Sequence, residues 1–149
     1  MTIAILPARP SDQAAWLPLW QGYRAFYQVP APSDLTARAW DNLLAPEVPM
    51  HAALAWDGDR AVGLIHLVRR FSTWTMGPQC YLEDLFVADD VRGRGVGQLL
   101  IDHGFDWARR EGCSIIHWLT HESNHAARRI YDRIAEHKGH IHYAARLEP

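Results

Sequence analysis

The sequence is poor in cysteine, in excess positive charge and in long apolar runs, and each shortage closes off a class of function. Cys80 and Cys113 are the only cysteines among 149 residues, and they show no Cys-x-x-Cys spacing. They support neither a disulfide framework nor a thiolate zinc site, so a reducing cytoplasm is the expected compartment. Fifteen Lys and Arg stand against 17 Asp and Glu, a net charge of −2. Broad nucleic-acid binding rests on an excess of cations, so no nucleic-acid partner is expected. No apolar run approaches the roughly 18 to 20 residues that span a bilayer, so no membrane partner is expected either. The first ten residues lack a basic start followed by an apolar core, and no secretory signal is expected.

What the chain does contain is a globular composition, 48% hydrophobic and 21% charged, on a length that fits one domain, residues 1–149. Thr2 to Leu6 alternates and reads as a first strand. Ser11 and Asp12 offer N-cap oxygens ahead of a helix on which Trp16, Leu19, Trp20, Tyr23 and Tyr27 share one face. Pro18 should kink that helix or begin its main part. A second helix is expected from Ser33 to before Pro46, with Trp40, Leu43 and Leu44 inward. His51 to Trp56 and Ala61 to Arg69 flank Asp57-Gly58-Asp59 and predict a hairpin. Cys80 to Val87 is a further strand. A helix follows to about Arg110, with Val96, Leu99, Leu100, His103 and Trp107 buried and Gly112 as its cap. Ser114 to Thr120 reads as a strand, Asn124 to about Ala135 as a helix, and Ile141 to Leu147 as a closing strand. The predicted order is β-α-α-β-β-β-α-β-α-β, a mixed α/β fold with a mixed sheet flanked by helices.

The strongest chemical signal is Val87 to Gly97, where a strand runs through Arg92-Gly93-Arg94-Gly95-Val96-Gly97 into a helix. A helix N-terminus exposes unpaired N–H groups and the positive end of the dipole, and glycines let an anion approach the backbone. The loop has neither the Gly-Lys-Ser/Thr ending of a Walker motif nor the Gly-x-Gly-x-x-Gly dinucleotide spacing. A phosphate cradle and a tight turn with surface arginines both fit it. Two adjacent acids, Glu83 and Asp84, sit among apolar residues on the preceding strand. Alternation sends them to opposite faces unless a bulge intervenes.

Arg92, Gly95 and Gly97 match the Gln/Arg-x-x-Gly-x-Gly/Ala signature of the GNAT superfamily of acyl-CoA N-acyltransferases, which the chain resembles over nearly its whole length. Asn124-x-x-Ala127-x-x-Ile130-Tyr131 resembles the same family's later helix. Tyr81 to Val87 resembles the corresponding strand of its polyamine and histone acetyltransferase-like branch. The resemblance implies acetyl-CoA as co-substrate, held by Leu85, Phe86, Val87, Arg92, Gly93, Arg94, Gly95, Val96, Gly97, Gln98 and Asn124, and no metal. It implies direct transfer to a primary amine, with Glu83 as base and Tyr131 as acid. A small cationic amine or polyamine is the first expected acceptor, and a protein lysine or N-terminus the second. Asp84 or a water relay is the other candidate for the base. Tyr131 also reads as a core aromatic, and Asn124 as a helix cap. Tyr27, Trp74 and Asp84 are expected to border the amine through charge pairing and cation–π contact. A homodimer is expected from the family. A non-catalytic acyl-CoA sensor of the same fold is the alternative.

The remaining oddities are seven tryptophans and nine histidines. Most tryptophans sit at core spacing. His121-Glu122-Ser123-Asn124-His125 spells H-E-x-x-H, but that motif needs a helix carrying both histidines, and here it straddles the expected helix start. His137, His140 and His142 have no carboxylate frame and read as solvated.

Overall fold

The computed structural model of the chain describes residues 2–149, which form two compact units, one ending at Leu119 and one beginning at Thr120. The first unit is built on five strands: β1 (Ile3–Pro7), β2 (Met50–Asp57), β3 (Arg60–Arg70), β4 (Gln79–Val87) and β5 (Ile116–His117). They lie in sequence order, antiparallel except for the parallel β4–β5 pair. Three helices complete this unit: α1 (Gln13–Phe26), α2 (Ser33–Leu44) and α3 (Val96–Arg110).

The alternation of side chains along the strands divides the helices between the two faces. Trp16, Leu19 and Trp20 of α1, with Trp40 and Leu43 of α2, bury against Ala52, Leu54 and Leu64. On the other face α3 lies so close that a Cβ on Gly104 would stand 3.2 Å from Ile65 Cδ1 and 3.4 Å from Leu67 Cδ2. Glycine there lets the helix settle on the large residues of β3. The β2–β3 hairpin closes as expected, with Asp57 opposite Arg60 and Gly58 at φ +61°, the conformation of the first central residue in a primed turn. Helix α3 ends in a Schellman motif: Gly112 N–H bonds Arg109 O at 3.1 Å, and Cys113 N–H bonds Ala108 O at 2.9 Å.

Several local expectations are corrected. Asp12 does not cap α1 with its side chain; its carboxylate takes the Arg9 backbone N–H and guanidinium instead. Helix α1 runs through Pro18 from Gln13, so the proline does not begin it. Leu99 is exposed and Ile101 buried in its place, because the stripe of α3 follows Val96, Leu100, Ile101, Gly104, Trp107 and Ala108. Strand β5 is two residues long rather than seven.

In the second unit, α4 (His125–Ile134) carries Ala127, Ile130, Tyr131 and Ile134 on one half-buried face. The closing strand expected at Ile141 to Leu147 is not formed. Ile141, Tyr143 and Leu147 are exposed, and no ladder pairs that segment among the described residues. Alternation is a capacity to pair, and a strand needs a neighbour to realise it.

Candidate functional site

The acids of β4 are arranged by a break in the β3–β4 register. His66 pairs with Asp84 and Leu67 with Leu82, so Glu83 is an extra residue with no partner on β3. A bulge of this kind cancels one step of the alternation and turns two successive side chains to one side. Glu83 and Asp84 accordingly both line one cavity of about 300 Å³. Its other walls come from Trp20 and Arg24 of α1, from Leu35, Arg38, Ala39, Asn42 and Leu43 of α2, and from Met50, His66 and Val68 of the sheet.

Asp84 is held from behind. The Trp16 indole donates to His66 Nε2 at 2.9 Å, and His66 Nδ1 lies 2.8 Å from Asp84 Oδ2. An indole nitrogen only donates, so Nε2 must be the acceptor and Nδ1 must carry the proton given to Asp84. His66 is 3% exposed and Trp16 fully buried, so this neutral tautomer is fixed by packing and hydrogen bonding together. The Asp84 carboxylate is thereby oriented by a donor that brings no full charge. Burial and the Asp84 charge, with a hydrogen bond to Asp84, raise the pKa of the Tyr23 phenol, which therefore keeps its proton. Tyr27 is raised too, by burial first and then by Asp84.

Glu83 lacks such support. Desolvation in the cavity wall and the charge of Asp84 raise its pKa above the ordinary carboxylate range. The two neighbouring acids are thus differentiated: one oriented by a buried histidine, the other left with a raised proton affinity.

A second region of the same unit leaves backbone groups uncovered. The β4–β5 ladder covers only Cys80 with Ile116 and Tyr81 with His117. Leu85, Phe86 and Val87 pair with β3 on one side, and no ladder with β5 covers their other edge among the described residues. Past Val87 the chain turns through Gly93 (φ +79°) and Gly95 (φ +83°) into α3, whose N-cap Gly95 has no side chain to occupy the helix N-terminus. A Cβ on either glycine would meet nothing within 4 Å, so the loop stands open to a ligand. Val96, Gly97 and Gln98 form the first turn of α3 and present their N–H groups there. Arg92 is spent on the loop itself: its Nε donates to Val87 O at 3.0 Å, it pairs with Asp89 at 2.9 Å, and it lies over Phe26 and Phe86. Arg94 is exposed.

The other sequence-predicted residues are distributed as follows. Tyr27 packs edge-on against Tyr23 and Phe26, near Asp84 but outside the cavity lining. Trp74 is 90% exposed in the β3–β4 connection and does not line the cavity. In the second unit, Asn124 caps α4, accepting from Ala127 N–H at 3.5 Å, and its amide points to Thr120 Oγ1 at 3.4 Å. Tyr131 is half-buried on α4. His125 is the first residue of α4 and His121 lies before it, so the H-E-x-x-H spelling places no two imidazoles on one helical face.

Sequence reading missed His66, Arg24 and Arg38. The signal for Arg38 was present: Leu35, Arg38, Ala39, Asn42 and Leu43 fall on one stripe of α2 in which Arg and Asn interrupt an apolar repeat. His66 offered only a histidine inside an apolar strand.

The first unit thus holds an uncovered strand edge, a glycine-lined helix N-terminus and a cavity with two acids. The family model for the acetyltransferase (GNAT) family matches residues 16–135, and the chain belongs to that family of acetyl-CoA-dependent N-acetyltransferases. It is 30% identical over 136 residues to the D-amino-acid N-acetyltransferase HPA3 of Saccharomyces cerevisiae, covering 89% of this chain and 84% of that one. It is 31% identical over 144 residues to the N-acetyltransferase YhfO of Bacillus subtilis, covering 93% and 94%. In fold it is similar to an aminoglycoside N-acetyltransferase, AAC(6')-Iy, solved in complex with a CoA bisubstrate analogue. The TM-score is 0.86 at 18% identity, over 99% of both chains.

Proposed function

We propose that the chain, acting as a single domain, transfers an acetyl group from acetyl-CoA directly to the primary amine of a small molecule that enters the Glu83–Asp84 cavity. The bulge at Glu83 carries this reading, because it turns both carboxylates toward one acceptor space. Bound acetyl-CoA supplies the thioester carbonyl that the amine attacks. Leu85, Phe86 and Val87 would hold its amide-rich arm as an added strand, and their N–H groups are the candidate donors to the carbonyl oxygen. The loop from Arg92 to Gly95 and the first turn of α3, Val96 to Gln98, would take its phosphates. Arg94 would add charge there, and Asn124 would serve the arm as well as the helix.

An alkylamine arrives mostly protonated at neutral pH, so a proton must leave before attack. Glu83 is the proton acceptor, directly or through water: its raised pKa suits it to hold a proton, whereas Asp84 is committed to His66. Asp84 fixes the ammonium ion in the cavity. Tyr131 is the candidate, from the family resemblance, for the donor of a proton to the departing sulfur. Neither cysteine competes as an acyl carrier, since burial pushes the Cys80 thiol up to about 12 and raises that of Cys113. Two cysteines that form no disulfide fit the cytoplasmic location expected from the sequence.

HPA3, by its name, acts on D-amino acids, and a small amine is the acceptor class proposed for this chain. From the sequence, a polyamine stands with the small cationic amine as the first acceptor class, and a protein lysine or N-terminus is the second. A homodimer is the assembly carried from the family resemblance, and Ile141, Tyr143 and Leu147 are exposed apolar side chains it would have available.

An amine panel with acetyl-CoA, read by release of free thiol, tests the transfer. Glu83→Gln is expected to lower kcat by about 10²–10⁴-fold and to remove an acidic limb of the pH–rate profile lying above the ordinary carboxylate range. An unchanged profile would remove Glu83 from the base role.

A further inference from the structure

The acceptor cavity is not uniformly acidic. Its acids come from β4, while Arg24 and Arg38 enter from the two helices that form its other wall. Arg24 lies over the Trp20 ring at 5.4 Å, with Nε and Nη2 given to Pro30 O at 2.9 and 2.7 Å. Those bonds fix the guanidinium and leave Nη1 for another acceptor. Arg38 has no ion pair or hydrogen bond among the described residues, although it lines the cavity. Between the two charged walls, Trp20, Leu35, Leu43, Met50 and Val68 are apolar.

We infer that the acceptor is a free amino acid with an apolar side chain, its amine held by Glu83 and Asp84 and its carboxylate by Arg38 and Arg24. Two acids and two guanidiniums around one cavity match a zwitterion. A polyamine would set its second ammonium toward the arginines, where like charges repel. A guanidinium presents paired donors in a fixed plane, the geometry a carboxylate takes up in two parallel hydrogen bonds. Arg38 is exposed and Arg24 partly buried, so both guanidiniums are accessible to an entering carboxylate. A cavity of about 300 Å³ is at the small end of ligand sites and suits a single amino acid rather than a peptide chain.

This inference rests on the transferase reading, and matched acceptors separate the two. The full chain is assayed with acetyl-CoA and either an amino acid, as both enantiomers, or the amine left on removing its carboxyl group: phenylalanine against 2-phenylethylamine, leucine against 3-methylbutylamine. The amino acids are expected to have at least about tenfold higher kcat/KM, one carboxylate contact of about 1.4 kcal/mol. Arg38→Gln is expected to raise KM for the amino acid about tenfold or more, and KM for the decarboxylated amine far less. Arg38→Lys should recover part of the loss. Calorimetric titration of phenylalanine onto the CoA-loaded chain should show the same weakening in Arg38→Gln, with no fall in Tm. Equal or better use of decarboxylated amines or of spermidine, or an equal effect of Arg38→Gln on both members of a pair, would overturn the inference while leaving the transferase reading intact. Failure to acetylate any amine would overturn both.

Discussion

His51 and His66 sit side by side in the sheet yet belong to different chemistry. His66 on β3 lies opposite Ala52 of β2, and His51 on β2 lies opposite Leu67, so the two imidazoles project from opposite faces. On the α1–α2 face, His66 is bound at both nitrogens, by an indole donor and a carboxylate acceptor. On the α3 face, His51 meets another imidazole, with Nε2 2.9 Å from His103 Nε2, and stacks on Trp107 with ring centroids 5.2 Å apart. Burial first, then His103 and Arg110, lower the His51 pKa to about 4. A histidine–histidine hydrogen bond needs one donor and one acceptor, so at least one of the two rings must stay uncharged to accept. The difference teaches that the partner decides the role: a carboxylate partner makes a buried histidine an orienting device, and a second histidine makes it part of the packing.

Removing the His66 imidazole should have the largest effect on this contrast. His66→Leu leaves a fully buried indole N–H without a partner and takes from the Asp84 carboxylate its histidine donor. A loss of about 2–4 kcal/mol in denaturant unfolding is expected, with a rise in amine KM as Asp84 loses its orientation. His66→Gln, which keeps a donor and an acceptor, should recover part of both. A loss of stability with KM unchanged would reduce His66 to a packing residue.

Next in size is a purely steric change on the α3 face. Gly104→Val drives a side chain into Ile65 and Leu67 and should cost about 1–3 kcal/mol while amine KM stays level. If KM moved with stability, the two faces would not be separable.

The smallest effect is the pH response of His51. Its folded pKa of about 4 lies below the ordinary 6.5, so between these values the unfolded chain binds a proton that the folded chain refuses. Stability should fall as pH drops from 6.5 toward 4, and His51→Gln should flatten that fall in Tm against pH. An equal slope in the variant would assign the acid sensitivity elsewhere.

Much of this was legible along the chain. The stripe of Trp16 and Trp20, the Gly58 turn, the glycine loop and the helix start near Asn124 are local patterns, each set by residues within a few positions of one another. Glu83 and Asp84 were visible as acids in an apolar strand, but alternation alone sends them apart. The bulge that reunites them is a property of the β3–β4 register. The closing strand failed for the complementary reason, since alternation at Ile141 to Leu147 names a face and not a partner.

The sequence by itself therefore determined the family, the order of elements through α4 and the identity of the paired acids and the glycine loop, because short-range periodicity and glycine placement suffice for these. Only the tertiary structure decided that Glu83 and Asp84 share a cavity, that His66 and Trp16 stand behind one of them, and that Arg24 and Arg38 face both. Those relations join residues as distant along the chain as Trp16 and His66, fifty positions apart, or more, and they come from strand register and helix docking, where a shift of one residue exchanges one face of the sheet for the other.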